Sequence, residues 1–279
     1  MSEEKIRMNV REGYAKVALQ QRSCCGPSSS CCGSAKTADT IAQKVGYSNE
    51  DLAASPEGAN LGLGCGNPVA IASLSLGETV LDLGAGPGFD CFLAARRVGE
   101  TGKVIGVDMT PEMVARARET ARKGDIRNIE FRLGEIEHLP VADNSVDVVL
   151  SNCVINLSPD KPQVFREAFR VLKNGGRLIV SDTVLLKPLP EFLQQSVEAY
   201  VGCVSGAMRR QEYIDTVEAA GFEDVHIVKE TPFSLDCALN DPMARDAAGN
   251  LQVPEKQEVE GCLARILIHA IKREKNAVR

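Results

Sequence analysis

The chain has 279 residues, enough for one large domain, or one domain and an appendage, around a real hydrophobic core. With 44% hydrophobic and 25% charged residues it reads as an ordinary folded protein, which excludes a disordered or fibrous chain. Its 32 Lys and Arg against 38 Asp and Glu leave a net charge of -6; nothing draws the whole molecule to nucleic acid or an anionic membrane, and no basic block supplies a local attraction. The compositional outlier is cysteine, with ten in a chain that has three His and no Trp. A secreted disulfide framework needs a signal peptide, and the stretch from Met1 to Val10 is polar and charged. No run approaches the roughly 18 apolar residues of a membrane span. The expected setting is the cytoplasm, where thiols stay reduced and so many of them point to metal, metalloid or redox chemistry. Any single one, taken alone, is better explained as a small buried hydrophobe.

In chain order, residues 1–60 show little sustained periodicity and contain Cys24-Cys25-Gly26-Pro27 and Ser30-Cys31-Cys32-Gly33, a turn-rich composition that predicts a mobile or loosely docked Cys-rich arm. From Thr79 short apolar runs alternate with helical patterns, the signature of a parallel sheet covered on both faces. The predicted strands are Thr79 to Leu83, Val104 to Val107, Ile129 to Leu133, Val146 to Leu150 and Arg177 to Val180. Thr110 and Pro111 read as N-cap and first residue of one helix, and Asp160 with Gln163 as a capping box before Val164, Ala168 and Val171. Lys173-Asn174-Gly175-Gly176 is expected to end that second helix. Beyond Lys187 the pattern weakens to helices near Pro190 to Val201 and Arg210 to Ala220, then strands near Val225 to Val228 and Arg265 to Ile271. The expected organisation is an arm over 1–60, a cofactor-binding core over 61–185 and a C-terminal α+β substrate-binding and capping region over 186–279.

The strongest motif is Val80-Leu81-Asp82-Leu83-Gly84-Ala85-Gly86-Pro87-Gly88-Phe89, a buried strand turning into a helix. Glycines there let backbone amides approach a polar ligand at the helix N-terminus. A dinucleotide fingerprint needs Gly or Ala at the sixth motif position, which here is Phe89, and no Gly-Lys-Ser/Thr follows to make a P-loop. Twenty residues past Gly88 the next strand ends in Val107-Asp108-Met109, an acid placed for the two hydroxyls of an unphosphorylated ribose. Gly134-Glu135-Ile136 after the third strand could face an adenine edge. This set, from about Gly64 to Asp182, resembles the class I S-adenosylmethionine-dependent methyltransferases, α/β proteins with a Rossmann-like sheet and helices on both faces. The resemblance implies that Asp82, Gly84, Gly86 and Gly88 line the methionine end of the cofactor, Asp108 its ribose, and Met109, Glu135 and Ile136 its adenine.

Three thiols stand apart from the rest. Cys153 follows the fourth strand, at the ligand-binding end of an open α/β sheet, while Cys65 in Gly64-Cys65-Gly66 and Cys203 after Gly202 lie in glycine-flanked turns. Converging on one pocket, they make a site for a soft, thiophilic ion. The segments Gly64-Cys65-Gly66, Asp108-Met109-Thr110, Ser151-Asn152-Cys153-Val154-Ile155-Asn156-Leu157 and Gly202-Cys203-Val204-Ser205-Gly206-Ala207 resemble the arsenite methyltransferases. Ser55-Pro56-Glu57-Gly58-Ala59-Asn60, running on to Pro68, is similar to their microbial branch. The resemblance implies arsenite as substrate, Cys65, Cys153 and Cys203 as ligands of trivalent arsenic, a thioredoxin- or glutathione-type thiol reductant, and arsenic detoxification by a monomer. Arsenic carries no proton to remove, which fits a chain whose His138, His226 and His269 lie outside every motif. Cys91 reads as a packing residue, and Cys237 and Cys262 as unassigned with burial favoured. The two N-terminal pairs do not have zinc-knuckle spacing and are candidates for capture or redox exchange. Two other functions stay open: a methyltransferase acting on a quinone-like acceptor, and a thiol-based metalloid-binding protein without catalysis.

Overall fold

The computed structural model describes residues 2–20, 33–194, 196–233, 258–259 and 261–273. Cys24, Cys25, Cys31, Cys32 and Cys237 lie outside them, and with them the expectations attached to those thiols.

The core is a sheet of seven strands in the order β3-β2-β1-β4-β5-β7-β6. β1 (Thr79–Leu83), β2 (Lys103–Asp108), β3 (Ile129–Leu133), β4 (Val146–Asn152) and β5 (Leu172–Leu185) are parallel. β6 (Glu223–Pro232) and β7 (Leu263–Ile271) pair antiparallel at the far side. Near-continuous apolar runs such as Val80, Leu81 and Leu83 are what a sheet buried on both faces requires. One face is covered by α5 (Phe89–Val98) and α6 (Pro111–Lys123), with α4 (Pro68–Ile71). The other is covered by α7 (Lys161–Val171) and α10 (Arg210–Ala219). Because β2 and β4 flank β1 on opposite sides, the chain reverses direction across the sheet at β1, opening a crevice at its carboxyl end.

Several expectations change in three dimensions. The first 60 residues do not leave a loose arm where they are described. They supply α1 (Glu3–Gln20), α2 (Gly33–Val45) and α3 (Asn49–Ala54). Val10, Val17 and Ala18 of α1 are buried, against Leu157, Cys203 and Met113 among others, and Ala42 of α2 joins the core over α5. The fifth strand is much longer than Arg177 to Val180, since Ser181 to Leu185 pair with Leu267 to Leu263 of β7; their polar members hid it from an apolar-run criterion. α7 ends at Val171, before Lys173, and Gly175 then takes φ 80°. Asp160 accepts from the Gln163 amide as expected, yet the Gln163 side chain donates to Glu137 O instead of closing the box. The C-terminal strands extend the core sheet; α8 (Glu191–Gln194) packs by Leu193 with Val259, Cys262 and Leu263, while Val201 of α9 (Val197–Val201) and Cys203 after it pack with Val10 of α1 and Leu157. Among the described residues no helix is long and apolar enough to cross a membrane.

Phe165 of α7 is fully buried and meets Tyr213 of α10 edge-on at 5.4 Å between ring centroids. Phe165→Ala is expected to cost about 3–5 kcal/mol in urea unfolding, while Arg166→Ala on the solvent side of the same helix stays within about 0.5 kcal/mol.

Candidate active site

The glycine turn follows directly from β1. Gly84 has φ 64°, and a Cβ on it would lie 2.3 Å from Cγ2 of Val154, which leans over from the loop after β4. Both its backbone and its neighbour therefore demand glycine. Asp108 ends β2 and accepts from the amides of Gly86 and Thr110, each at 2.8 Å. A cleft enclosing about 1110 Å³ of atom-free space, its open mouth included, is bounded by Asp82, Gly84, Gly86, Asp108, Met109 and Ile136 among others. Of the remaining residues expected at the cofactor, Gly88 sits behind the wall as the left-handed N-cap of α5. Glu135 is also absent from the wall; its carboxylate faces away to Arg11 at 3.3 Å and Arg7 at 3.6 Å on α1.

The cleft is strongly acidic. Asp82 and Asp90 are buried and Asp108 is half-buried. Burial, then the charge of Asp90, drives the Asp82 carboxyl well above the usual range. Burial pushes Asp90 up to about 6, against hydrogen bonds from Tyr47 and Asn152. The Asp82 carboxylate has the Cys91 thiol as a donor at 3.2 Å. Carboxylates gathered in this way disfavour ionisation until a cation joins them.

Next to this cleft the sulfurs of Cys65 and Cys153 come together, and Cys203 reaches them through the Cys153 backbone carbonyl. Cys65 is held by Asn152 at the end of β4, whose Oδ1 accepts the Cys65 amide at 3.0 Å. The Asn152 amide nitrogen donates to Gly66 O and to Asp90 Oδ2, both at 2.9 Å, while the Tyr47 hydroxyl donates to Asp90 Oδ1 at 2.6 Å. Cys153 follows immediately, with φ 60° and its amide donating to Ser181 O at 2.8 Å. Cys203, at φ 61° in the turn after α9, donates its thiol to the Cys153 carbonyl at 3.0 Å. Left-handed backbone at a residue other than glycine costs energy and persists where surroundings enforce it, often at functional sites. The Cys153 thiol lies within 4.8 Å of the Cys65 sulfur, and the neighbouring Cys203 foremost, then burial, raises it well above the ordinary thiol range. Burial, then Cys153, raises Cys65 likewise. Cys65 and Cys153 therefore favour the protonated form at neutral pH.

Behind them lies Asp182, one of whose oxygens is within 4.8 Å of both the Cys65 and Cys153 sulfurs. It is fully buried and accepts from Asn156 Nδ2 at 2.8 Å, the Thr183 amide at 2.9 Å and the Tyr213 hydroxyl at 3.1 Å. Sequence reading missed Asn152, Asp90, Tyr47, Asp182 and the α1 residues Arg7, Val10 and Tyr14 that border the cleft. The signal for α1 was present, since Val10, Tyr14, Val17 and Ala18 recur at helical spacing. Cys91 and Cys262 are buried, as packing residues should be.

Residues 74–222 match the family model of the methyltransferase domain. The chain belongs to that family, with the class I sheet order seen here. It is 51% identical over 231 residues to an arsenite methyltransferase of Halobacterium salinarum, an alignment covering 80% of this chain and 59% of that protein. It is 41% identical over 152 residues to the human arsenite methyltransferase, covering 51% of this chain and 40% of the other. This chain thus matches no more than about three-fifths of the length of either relative. Among solved structures, an arsenic(III) S-adenosylmethionine methyltransferase of Chlamydomonas reinhardtii superposes with a TM-score of 0.64 at 30% identity, covering 87% of this chain and 75% of that one.

Burial above all raises the Asp182 carboxyl to about 7. An unfolded Asp titrates near pH ~3.9, so between these values the folded state holds more protons and stability falls as pH rises. Relative to Asp182→Asn, the unmodified chain should lose on the order of 4 kcal/mol across that window, with no further change above pH ~7. Urea unfolding of both proteins at a series of pH values measures it; parallel profiles would refute the assignment.

Proposed function

We propose that this chain transfers the methyl group of S-adenosylmethionine to trivalent arsenic bound by Cys65, Cys153 and Cys203, in the service of arsenic detoxification. The observation that carries this reading is the approach of the Cys65 and Cys153 sulfurs, with Cys203 from a third segment against the Cys153 carbonyl, beside an acidic cleft. The residues fit the cofactor. Asp82 and Asp90 form a buried acidic site whose ionisation a cationic group of the cofactor would favour, and a Cβ on Gly86 would project into open space with nothing within 4 Å, where a ligand can approach the backbone. Asp108 is placed for ribose hydroxyls, with Met109 and Ile136 as the adenine wall. Glu135, turned to Arg7 and Arg11, fastens α1 beside the cleft.

When bound, S-adenosylmethionine supplies a methyl group on a positively charged sulfur, open to attack by a nucleophile in line. The thiols prepare that nucleophile. As each As–S bond forms, an As–O bond of arsenite breaks, and the thiol proton leaves with the hydroxide as water. Three thiols and arsenite therefore give an uncharged tris-thiolate and three waters. Neutrality matters, because a net charge buried beside Asp182 and the cleft carboxylates is costly. Arsenic keeps a lone pair opposite its sulfurs and has no proton to lose, so the site needs positioning more than a base. Transfer oxidises arsenic by two electrons; two ligand thiolates can return them by joining as a disulfide. A thioredoxin-type dithiol, or two molecules of a glutathione-type thiol, then restores the thiols, chemistry that suits a reducing cytoplasm. A quinone-directed methyltransferase, or a metalloid-binding protein without catalysis, leaves either the thiol cluster or the cofactor cleft without a purpose.

Incubated with S-adenosylmethionine, arsenite and a dithiol, the chain should yield methylated arsenic together with S-adenosylhomocysteine. Cys153→Ser and Cys203→Ser should each abolish the first methylation, whereas Cys65→Ser can retain a later one, since methylated arsenic has fewer positions for thiolates. Full arsenite turnover by the Cys153 or Cys203 variant removes that residue from the ligand set. Asp108→Ala should raise KM for the cofactor about tenfold or more, the loss of charge-assisted hydrogen bonds, with arsenite affinity unchanged by tracer binding.

A further inference from the structure

Two of the three histidines of the chain lie outside the site above and directly oppose each other: His226 on β6 pairs with His269 on β7. Their ring centroids are 5.1 Å apart, and the register of β6 shifts between Glu223 and His226, bringing Asp224 to the same place with φ 53°. Ligand atoms of Asp224, His226 and His269 all lie within 4.8 Å of one another. Side chains directly opposite on adjacent strands have Cβ atoms about 4.5–5.5 Å apart, a span two imidazoles can close on one ion.

The imidazoles are already oriented for this. Nδ1 of His226 lies 2.9 Å from the backbone oxygen of Asp224, and a carbonyl only accepts, so Nδ1 carries the proton and Nε2 keeps its lone pair. That is the usual outer support of a metal-binding histidine. Nδ1 of His269 is buried and has no hydrogen-bond partner among the described residues, a cost that a Lewis acid on this ring offsets in part by fixing its tautomer or by taking that lone pair. The titratable and charged groups facing His269 are His226 and Asp224 on β6 and Arg177 on β5. Arg177 is itself engaged by Glu78 at 2.7 Å. Asp224 and His226 are half exposed, which leaves the group open to solvent.

We propose that Asp224, His226 and His269 form a second, surface site for a divalent transition ion of the borderline class that includes Zn²⁺, and that the ion staples edge strand β6 to β7. Imidazole nitrogens with one carboxylate suit that class, and the remaining coordination positions fall to water. An ion bound only by the folded pair stabilises it by mass action. The site is independent of the thiols and of arsenic chemistry.

The test is a Zn²⁺ titration of the full reduced chain, read on the imidazole proton resonances of its three histidines. Two sets should shift together in one saturable step while that of His138 stays fixed, and the melting temperature should rise with the same midpoint. His226→Gln and Asp224→Asn, both at exposed positions, should weaken that midpoint at least tenfold without changing the metal-free melting temperature. Imidazole resonances that stay still into millimolar Zn²⁺ overturn the proposal, even if the thiols take up zinc. A His269 shift that persists unchanged in the His226 variant overturns it as well.

Discussion

The side-chain amide of Asn152 is the joint on which the rest of the site depends. It stands at the end of β4, accepts the Cys65 amide, donates to Gly66 O, and donates to Asp90 on the helix that opens the cofactor cleft. Its chain neighbour is Cys153. One planar group thus ties the loop of the first thiol, the strand of the second and the acidic wall of the cleft into one rigid arrangement. Each of these hydrogen bonds is worth only about 0.5–1.5 kcal/mol net, but a buried amide left without partners costs more, so the geometry holds as a unit. Proximity catalysis asks for such rigidity, because misplacing the nucleophile by about 1 Å can cost two orders of magnitude in rate.

The electrostatics divide the pocket into two regions with opposite demands. Asp82, Asp90 and Asp108 form a carboxylate cluster that burial holds towards the protonated form, with repulsion from Asp90 and Asp108 adding to it at Asp82. A cationic ligand relieves that repulsion. The thiol side is raised in the same sense, and Asp182 behind it titrates near 7. A ligand that binds there by exchanging thiol protons for water adds no charge to a region already short of solvation. Cation in one half and neutral metalloid in the other is a pairing that this charge distribution accommodates without a further counter-ion.

The N-terminal helices complete the enclosure. Arg7, Val10 and Tyr14 of α1 border the cleft, and Val10 packs with Cys203 and Leu157. Arg7 and Arg11 reach the Glu135 carboxylate from the same helix. Removing α1 would therefore uncover both the cofactor wall and the third thiol. Ion pairs at a partly exposed surface contribute little each, which makes the apolar contacts of Val10 and Val17 the main tie.

Much of the fold was legible in the sequence for a plain reason: strands buried on both faces must be apolar throughout, and a strand-to-helix turn around a ligand must be rich in glycine. β1 to β4, the helix starts at Pro111 and Lys161, and the positions of Asp82, Asp108 and the three thiols at strand ends or turns follow from those local rules. The tertiary structure decided what local rules do not reach. Ser181 to Leu185 are strand because β7, some eighty residues away, pairs with them. Asn152 clamps the Cys65 loop, and Glu135 turns from the cleft to α1, because the folded chain places their partners there. His226 faces His269 only through the register of the last two strands. Periodicity and spacing report each residue's preference for a face or a turn; which distant residue it meets is settled by sheet order and packing, and that is where the thiols, the carboxylates and the histidine pair acquire their chemistry.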